Sequence, residues 1–185
     1  LGAGLQGIGL SERAYQNALK YSRERLQSRA LSGAKFPDKA ADPILVHPDV
    51  RRMQLTIKSL VEGSRLLALH AATLIDVAHS ADDAAERERA DTLVSFLTPI
   101  VKACLTEWSI EATYNAQQVF GGHGYIAEHG MEQYARDARI TTLYEGTTGT
   151  QALDLIGRKT AVSQGAGLKL FLAEVEQFIA DNANN

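Results

Sequence analysis

The sequence has little cysteine, few prolines and aromatics, and no large excess of either charge. Its 185 residues include one cysteine, Cys104, so no disulfide framework can form within one chain. Cys104 falls in an apolar helical stretch, which favours a buried thiol acting as a small hydrophobe over a reactive site. The 19 basic and 22 acidic residues give a net charge of −3 and no basic stripe, which argues against a nucleic-acid partner.

The sequence also shows little sign of a membrane-spanning segment or of a metal site. We expect no apolar run to be long enough to span a bilayer, and the start is not signal-like, so a cytoplasmic location is predicted. The five histidines show neither i, i+4 pairing nor neighbouring cysteines, and no metal site is predicted. Because the chain opens at Leu1 in a helical pattern, we expect it to be a piece of a longer polypeptide.

The main positive signal is apolar residues at helical spacing. With 45% hydrophobic residues, a chain of this length can bury about 70% of its unfolded surface in one core. The spacing predicts a first helix to about Arg29 and a second from Pro48 to about His79. A third helix follows, in which Pro99 should produce a kink or begin a new segment at Thr98.

Shorter helices are predicted after these three. One covers about 131–139, and another covers about 149–159, where Thr148 and Gln151 have the spacing of a capping box. Residues 163–167 resemble a linker, and an amphipathic helix follows over 168–179. The predicted fold is all-α, an up-and-down four-helix bundle with short extra helices. We assign the bundle to residues 1–162, and a linker with the start of a further helical region to residues 163–185.

Two glycine-containing segments have different structural interpretations. Residues 2–7 (GAGLQG) fit the dinucleotide pattern G-x-G-x-x-G, but no strand precedes them and a helix continues through them. Small residues there favour close helix packing instead. Residues 118–125 (QVFGGHGY) form a glycine-rich break between helical stretches, where backbone amides can approach a bulky ligand. Taken alone, this segment is more typical of a helix C-terminus with a glycine cap, and both interpretations can hold together.

A lone carboxylate, Glu145, stands among apolar neighbours just before a predicted helix start. It lies within residues 136–148 (RDARITTLYEGTT). Such a carboxylate is a natural general base when it is dry enough for its pKa to rise. From the residues alone, an ordinary carboxylate at a helix start is the favoured interpretation.

These two segments, in this order and separation, resemble the C-terminal domain of the flavin-dependent acyl-CoA dehydrogenases. The resemblance covers about residues 1–160 and rests on the QVFGGHGY, RDAR and LYEGT segments. Residues 143–155 (LYEGTTGTQALDL) are most similar to the large bacterial branch that includes 3-methylmercaptopropionyl-CoA dehydrogenase. The long loop at 32–48 fits that branch.

The resemblance implies that Glu145 removes the α-proton of an acyl-CoA thioester, while hydride leaves the β-carbon for FAD. It also implies that the Glu145 amide polarises the thioester carbonyl. Tyr144 and Gly146 beside it are the implied substrate-binding residues. The implied FAD-binding residues are Arg25, Gln118, Gly121, Gly122 and Thr147. Two departures stand out: Leu26, Gln27 and Ser28 replace the aromatic and glycine usual after the arginine, and Gly149 replaces a frequent glutamine.

The implied partners are an acyl-CoA substrate, a second copy of the chain in a homodimer or homotetramer, and electron-transfer flavoprotein as acceptor. Two alternatives remain open at this point. An acyl-CoA oxidase shares the dehydrogenation half of the reaction and passes electrons to oxygen. A non-catalytic helical binding or assembly module could retain the same fold.

Overall fold

The computed structural model describes residues 1–183 as helices joined by turns and one long loop. The helices are α1 (Gly2–Glu24), α2 (Pro48–Ser80), α3 (Ala84–Val119), α4 (Gly122–Tyr125), α5 (Met131–Thr141), α6 (Thr148–Leu153) and α7 (Ala166–Asp181). Short 3₁₀ helices cover Ile44–Val46 and Ala127–His129, and a π-helix covers Asp154–Val162. Residues 1–183 contain no strand, so the all-α prediction is confirmed.

The contacts between residues define two compact units. The groove unit contains residues 2–65 and 105–142, and the turn unit contains Leu1, residues 66–104 and residues 143–183. Helices α2 and α3 each contribute one part to each unit. The predicted domain boundary at 162/163 stays a prediction, and the last two residues of the predicted 163–185 region lie outside the described residues.

Four helices share one core in the groove unit. Its buried residues come from α1, the first part of α2, the last part of α3, and α5: Ala14, Ala18, Met53, Ile57, Val61, Ala112, Ala116, Val119 and Met131. Small residues on α1 and α3 share this cluster with larger side chains from α2 and α5, and small residues allow helices to pack closely. This core is the four-helix packing that the apolar spacing predicts.

Gly7 shows why the N-terminal glycines lie in a helix. A Cβ placed on Gly7 would lie 2.7 Å from the Leu105 carbonyl oxygen and 3.1 Å from the Ser109 Cβ. No side chain larger than hydrogen fits there unless the helices move apart. Residues 2–7 belong to α1, so the close-packing interpretation of this segment is confirmed.

The prediction that the first helix runs to about Arg29 is wrong, because α1 ends at Glu24. After one more helical bond, from the Arg25 N–H to the Tyr21 carbonyl at 2.8 Å, the backbone pairs with residues 42–44. The Gln27 N–H donates to the Asp42 carbonyl at 3.0 Å, and the Ile44 N–H donates to the Arg25 carbonyl at 2.8 Å. These bonds occupy the groups that a longer helix would use.

A buried carboxylate orders the loop that follows. Asp42 is fully buried and accepts hydrogen bonds from the backbone N–H groups of Ala30 at 2.9 Å, Lys35 at 3.1 Å and Phe36 at 2.8 Å. Desolvation raises the pKa of Asp42, but the three N–H donors and the Arg29 guanidinium outweigh it and lower the pKa to about 2. The loop is therefore anchored by a charge.

The two long helices follow the sequence in most respects. Helix α2 begins at Pro48, as predicted. Helix α3 continues through Pro99, so the alternative of a new segment at Thr98 is wrong. The Pro99 ring is fully buried, and this packing keeps the chain helical although one backbone hydrogen bond is lost. Cys104 is half-buried near this point, and burial raises the pKa of its thiol.

Helix α3 also corrects the expectation about apolar runs. By length and composition alone it is apolar enough to cross a membrane, and half of its most apolar stretch is buried in protein. A core helix meets the same criteria, so this is weak evidence for a membrane span. The expectation that no run is sufficiently apolar is wrong as a statement about composition.

The C-terminal elements differ in register from the prediction. The cap of α6 is Thr147, whose side chain accepts from the Thr150 N–H, so the predicted capping box of Thr148 and Gln151 is wrong by one residue. The helix does not end near Lys159 but continues as the π-helix to Val162. A short turn at 163–165 then precedes α7. Gly167 of α7 packs against the Phe96 ring, which explains its burial.

Candidate functional site

A groove of about 700 Å³ opens in the groove unit at the C-terminal end of α3. The end of α1 and the extended segment after it form one wall, and residues 118–123 form another. Four of the five predicted FAD-binding residues line it: Arg25, Gln118, Gly121 and Gly122. The fold thus brings together residues that are more than ninety positions apart in the sequence.

Two glycines leave the backbone of this groove uncovered. Gly121 has φ 58° and ψ −140°, a conformation open to glycine and strained for other residues. A Cβ placed on Gly121 or on Gly122 would meet no atom within 4 Å, so both positions face open space. The Gly121 N–H donates to the Gln118 carbonyl at 2.9 Å and closes the turn after α3. The segment is therefore both a helix end and a backbone surface that a bulky ligand can approach.

Packing beneath the groove holds this segment in place. A Cβ on Gly124 would overlap the Gln117 carbonyl oxygen and lie 3.0 Å from the Phe120 Cβ. The Gln117 side-chain amide donates to the Gly124 carbonyl at 3.1 Å, and the Phe120 ring stacks on Tyr21 at 4.0 Å. Gly124 is thus a packing glycine, whereas Gly121 and Gly122 are open ones.

An aromatic cluster that sequence reasoning missed borders the groove. The Tyr21 hydroxyl lies 2.8 Å from His123 Nδ1, and the His123 and His129 rings stack at 4.8 Å. The hydrogen bond fixes the orientation of the His123 ring. The only signal for Tyr21 was its place in the helical pattern of α1, which does not distinguish a site residue from a core residue.

Arg25 directly follows α1, and its N–H still donates to the Tyr21 carbonyl at 2.8 Å before the chain leaves the helix. Its neighbours Gln27 and Ser28, which replace the residues usual in the family, also line the groove. Ser28 has φ 61°, a left-handed conformation that costs a non-glycine residue about 1 kcal/mol. Strain of this kind is common at functional sites, and the anchored loop maintains it here.

The predicted base stands on a tight turn of the turn unit, just before α6. Glu145 has φ 54° and Gly146 has φ 89°, so two consecutive residues are left-handed. The Gln151 side-chain amide lies 3.3 Å from the carbonyl oxygens of both residues and donates to them. The turn is therefore held by a side chain of the helix it precedes.

This conformation displays both groups of Glu145 that the resemblance assigns to chemistry. The side chain is exposed, and within residues 1–183 the Glu145 N–H meets no acceptor. Leu143 is 44% exposed, and Tyr144 is half-buried. The Thr147 side chain is occupied as the α6 cap. A Cβ placed on Gly149, where the resemblance leads one to expect a glutamine, would have only the Thr147 hydroxyl within 4 Å, at 3.9 Å.

The predicted site residues divide between the two units. Arg25, Gln118, Gly121 and Gly122 belong to the groove unit, whereas residues 144–147 belong to the turn unit. Their placement is a structural fact, and their roles stay predictions.

The described residues thus form an all-helical domain with an open, glycine-lined groove and an exposed carboxylate on a left-handed turn. Residues 1–161 match the model of the acyl-CoA dehydrogenase C-terminal domain, and the chain belongs to that family.

Among curated proteins, the chain is 44% identical over 168 residues to the 3-methylmercaptopropionyl-CoA dehydrogenase of Ruegeria pomeroyi, covering 91% of this chain and 28% of that protein. It is 29% identical over 157 residues to the caffeyl-CoA reductase-Etf complex subunit CarC of Acetobacterium woodii, covering 85% of this chain and 35% of that one. The chain therefore spans about a third or less of the relatives it matches.

Solved structures share the fold, and two of them illustrate the likeness. Caenorhabditis elegans ACDH-11, solved with C11-CoA, has a TM-score of 0.80 at 22% identity over 96% of this chain and 27% of its own. Butyryl-CoA dehydrogenase of Megasphaera elsdenii has a TM-score of 0.65 at 25% identity over 84% of this chain and 34% of its own. These likenesses confirm the predicted fold class.

Proposed function

We propose that this chain is the domain of an FAD-dependent acyl-CoA dehydrogenase that supplies the catalytic base and part of the flavin-binding surface. The observation that carries the proposal is the gathering of Arg25, Gln118, Gly121 and Gly122 around one groove. Arg25 and residues 118–122 are far apart in the sequence, yet they line the same groove. Both match segments that the resemblance assigns to FAD binding. The 44% identity to a named dehydrogenase supports the same reaction class.

The residues of the groove fit the ADP half of FAD. The open backbone at Gly121 and Gly122 accommodates a flat or bulky group, and Arg25 is exposed and suited to a pyrophosphate. A volume of about 700 Å³ is in the range of small-molecule sites. FAD, when bound, supplies the acceptor for hydride from the substrate β-carbon. The groove residues bind and orient it.

Glu145 performs the proton transfer in this proposal. Its carboxylate takes the α-proton of the thioester, and its own N–H donates to the thioester carbonyl and stabilises the negative charge that develops there. One left-handed residue thus presents a base and an electrostatic donor together.

The partners follow from the same proposal. The substrate is an acyl-CoA thioester, as the name of the 44% identical relative supports. Electron-transfer flavoprotein is the proposed acceptor, supported by the relative named as a subunit of an Etf complex. A homodimer or homotetramer in the cytoplasm completes the proposal, with residues 118–122 contacting the FAD of a neighbouring subunit.

The test uses the complete polypeptide that carries this chain. Bound flavin is mixed rapidly with a panel of acyl-CoA thioesters, including 3-methylmercaptopropionyl-CoA, and its reduction is followed by absorbance. Glu145→Gln keeps the shape of the side chain and removes the base, so reduction should slow by at least about 100-fold. Glu176→Gln, an exposed glutamate of α7, is the matched control and should react as the wild type does.

Undiminished flavin reduction in Glu145→Gln would refute the assignment of the base. Failure of the wild type to reduce flavin with any thioester would refute the enzyme and favour the binding module. Hydrogen peroxide formed at the full rate without an added acceptor would identify an oxidase.

A further inference from the structure

A second cavity of the groove unit, of about 720 Å³, lies among α1, the anchored loop and the start of α2. It shares no lining residue with the predicted FAD groove. Three properties of its lining select a ligand: its charge, its rings and an unpaired buried acceptor.

The lining is strongly basic. Five cationic side chains surround the cavity, and the residues described there include no carboxylate: Arg23, Lys35, Lys39, Arg51 and Lys58. Only Lys58 has a carboxylate partner within residues 1–183, Glu62 at 3.7 Å. On a chain of net charge −3, four unpaired cations around one cavity make a local site for an anion of several charges.

Apolar and aromatic surface lies beside these charges. The Tyr15 and Phe36 rings line the cavity with Leu19 and Leu45. The Phe36 ring is 43% exposed, and Lys39 Nζ lies 5.0 Å from its centre. A simple inorganic anion would leave this surface unused, whereas a planar ring bearing phosphates would contact both the rings and the cations.

A buried amide completes the pattern. Gln54 lines the cavity and is only 5% exposed, and its Oε1 has no hydrogen-bond partner. Its Nε2 is engaged, since it donates to the Ser22 hydroxyl at 3.4 Å. An unsatisfied buried acceptor is costly, so a ligand that brings an N–H or O–H donor to it gains affinity. The amine of a base or the hydroxyl of a sugar provides such a donor.

We propose that this cavity binds a nucleoside polyphosphate, with the phosphates on the cations, the base against the rings, and a donor on Gln54 Oε1. The inference goes beyond the proposed dehydrogenation and does not depend on it. Free nucleotides and the nucleotide end of coenzyme A carry this same chemistry, and the test separates these two sources.

The experiment measures ADP binding by calorimetry to the complete protein saturated with FAD, which keeps the first groove occupied. Adenosine, pyrophosphate and coenzyme A are the comparison probes. The double variant Lys39→Ala/Arg51→Ala should weaken the binding of ADP and of pyrophosphate by about 30-fold or more. Gln54→Leu should weaken the binding of ADP by about 5-fold and leave the affinity for pyrophosphate unchanged. Arg52→Ala is the matched control, because Arg52 pairs with Asp49 at 2.9 Å and does not line the cavity.

Several outcomes decide the proposal. Coenzyme A binding more tightly than ADP assigns the site to the substrate's nucleotide end, and the reverse assigns it to a free nucleotide; both support the site. Absence of saturable ADP binding, or binding that the double variant leaves intact, overturns it. Polyglutamate binding without ADP binding overturns it in favour of an acidic protein segment. Because the two cations are exposed, the double variant should melt at the wild-type temperature, and this check keeps the result interpretable if Gln54→Leu unfolds.

Discussion

The groove unit and the turn unit hold their predicted site residues in different ways. In the groove unit, residues 118–124 lie on a packed layer in which Phe120 stacks on Tyr21 and Gly124 abuts α3. In the turn unit, Glu145 stands exposed on two left-handed residues held by the side chain of Gln151. One surface is supported from beneath by the core, and the other is supported mainly by hydrogen bonds.

This difference matches the two proposed tasks. A cofactor surface must keep its shape with or without the cofactor, so burial and packing suit it. A base must meet a substrate at one atom, and a left-handed turn exposes its carboxylate and its N–H together. The strain of that turn is a cost in stability that the proposed role of Glu145 would explain.

The largest expected effect separates the packing glycine from the open one. Gly124→Ala places a methyl group against the Gln117 carbonyl oxygen, and we expect it to lower the free energy of unfolding by about 3 kcal/mol. Gly122→Ala meets no atom within 4 Å and should change that free energy by less than about 0.5 kcal/mol. Denaturant titration of both variants measures the difference. Equal stability of the two would break the comparison, because it would show that packing does not hold the groove.

A smaller effect is expected in the turn. Gly146→Ala forces a left-handed alanine and places its methyl group 2.7 Å from the Gln151 amide nitrogen, which should cost about 1–2 kcal/mol. Gly149→Ala in α6 is the control, because it has open space and a helical backbone, and it should stabilise the protein by up to about 1 kcal/mol. The melting temperatures of both variants, measured against that of the wild type, test this difference. A neutral Gly146→Ala would show that the turn is not fixed.

The smallest effect is local and depends on pH. The folded pKa of Asp42 is lowered to about 2 from an ordinary 3.8, so the unfolded loop binds the proton more tightly. The anchor is therefore fully present above about pH 4 and is lost as the pH falls toward 2. We expect hydrogen-exchange protection of the Ala30, Lys35 and Phe36 amides to fall in that range, relative to α2 amides.

Asp42→Asn provides the control for this titration. It should lower the protection of the same amides at neutral pH and abolish their pH dependence between 4 and 2. Loop amides that lose protection in the variant at the same pH as in the wild type would exclude Asp42 as the titrating anchor.

Much of the fold could be predicted because helical periodicity records which faces are buried. The course of α2 follows this spacing, and its start was predicted from Pro48, a residue suited to the first turn of a helix. The end of α1 was not, because Leu26 continues the apolar spacing while the backbone pairs with residues 42–44. Such pairing is a long-range event that no local pattern records.

The site was predictable in part for a similar reason. Sequence motifs located Glu145 and residues 118–122. They did not show the left-handed φ of Glu145 or the position of the α6 cap at Thr147, which go with the hydrogen bond from the Gln151 side chain to the Glu145 carbonyl. Tyr21 and its bond to His123 join positions about a hundred residues apart, so local sequence gave no sign of them. The π-helix at Asp154–Val162 likewise has no signature in the apolar spacing.

The central claim is that the groove holds the flavin while Glu145 acts only on the substrate. The most direct measurement is the dissociation constant of FAD, by flavin fluorescence, for Gly122→Leu and Glu145→Gln in the complete protein. The leucine enters open space in the groove and should weaken FAD binding by at least about 10-fold, whereas Glu145→Gln should stay within about 2-fold of wild type. Unchanged FAD affinity in Gly122→Leu, or its loss in Glu145→Gln, would contradict the account.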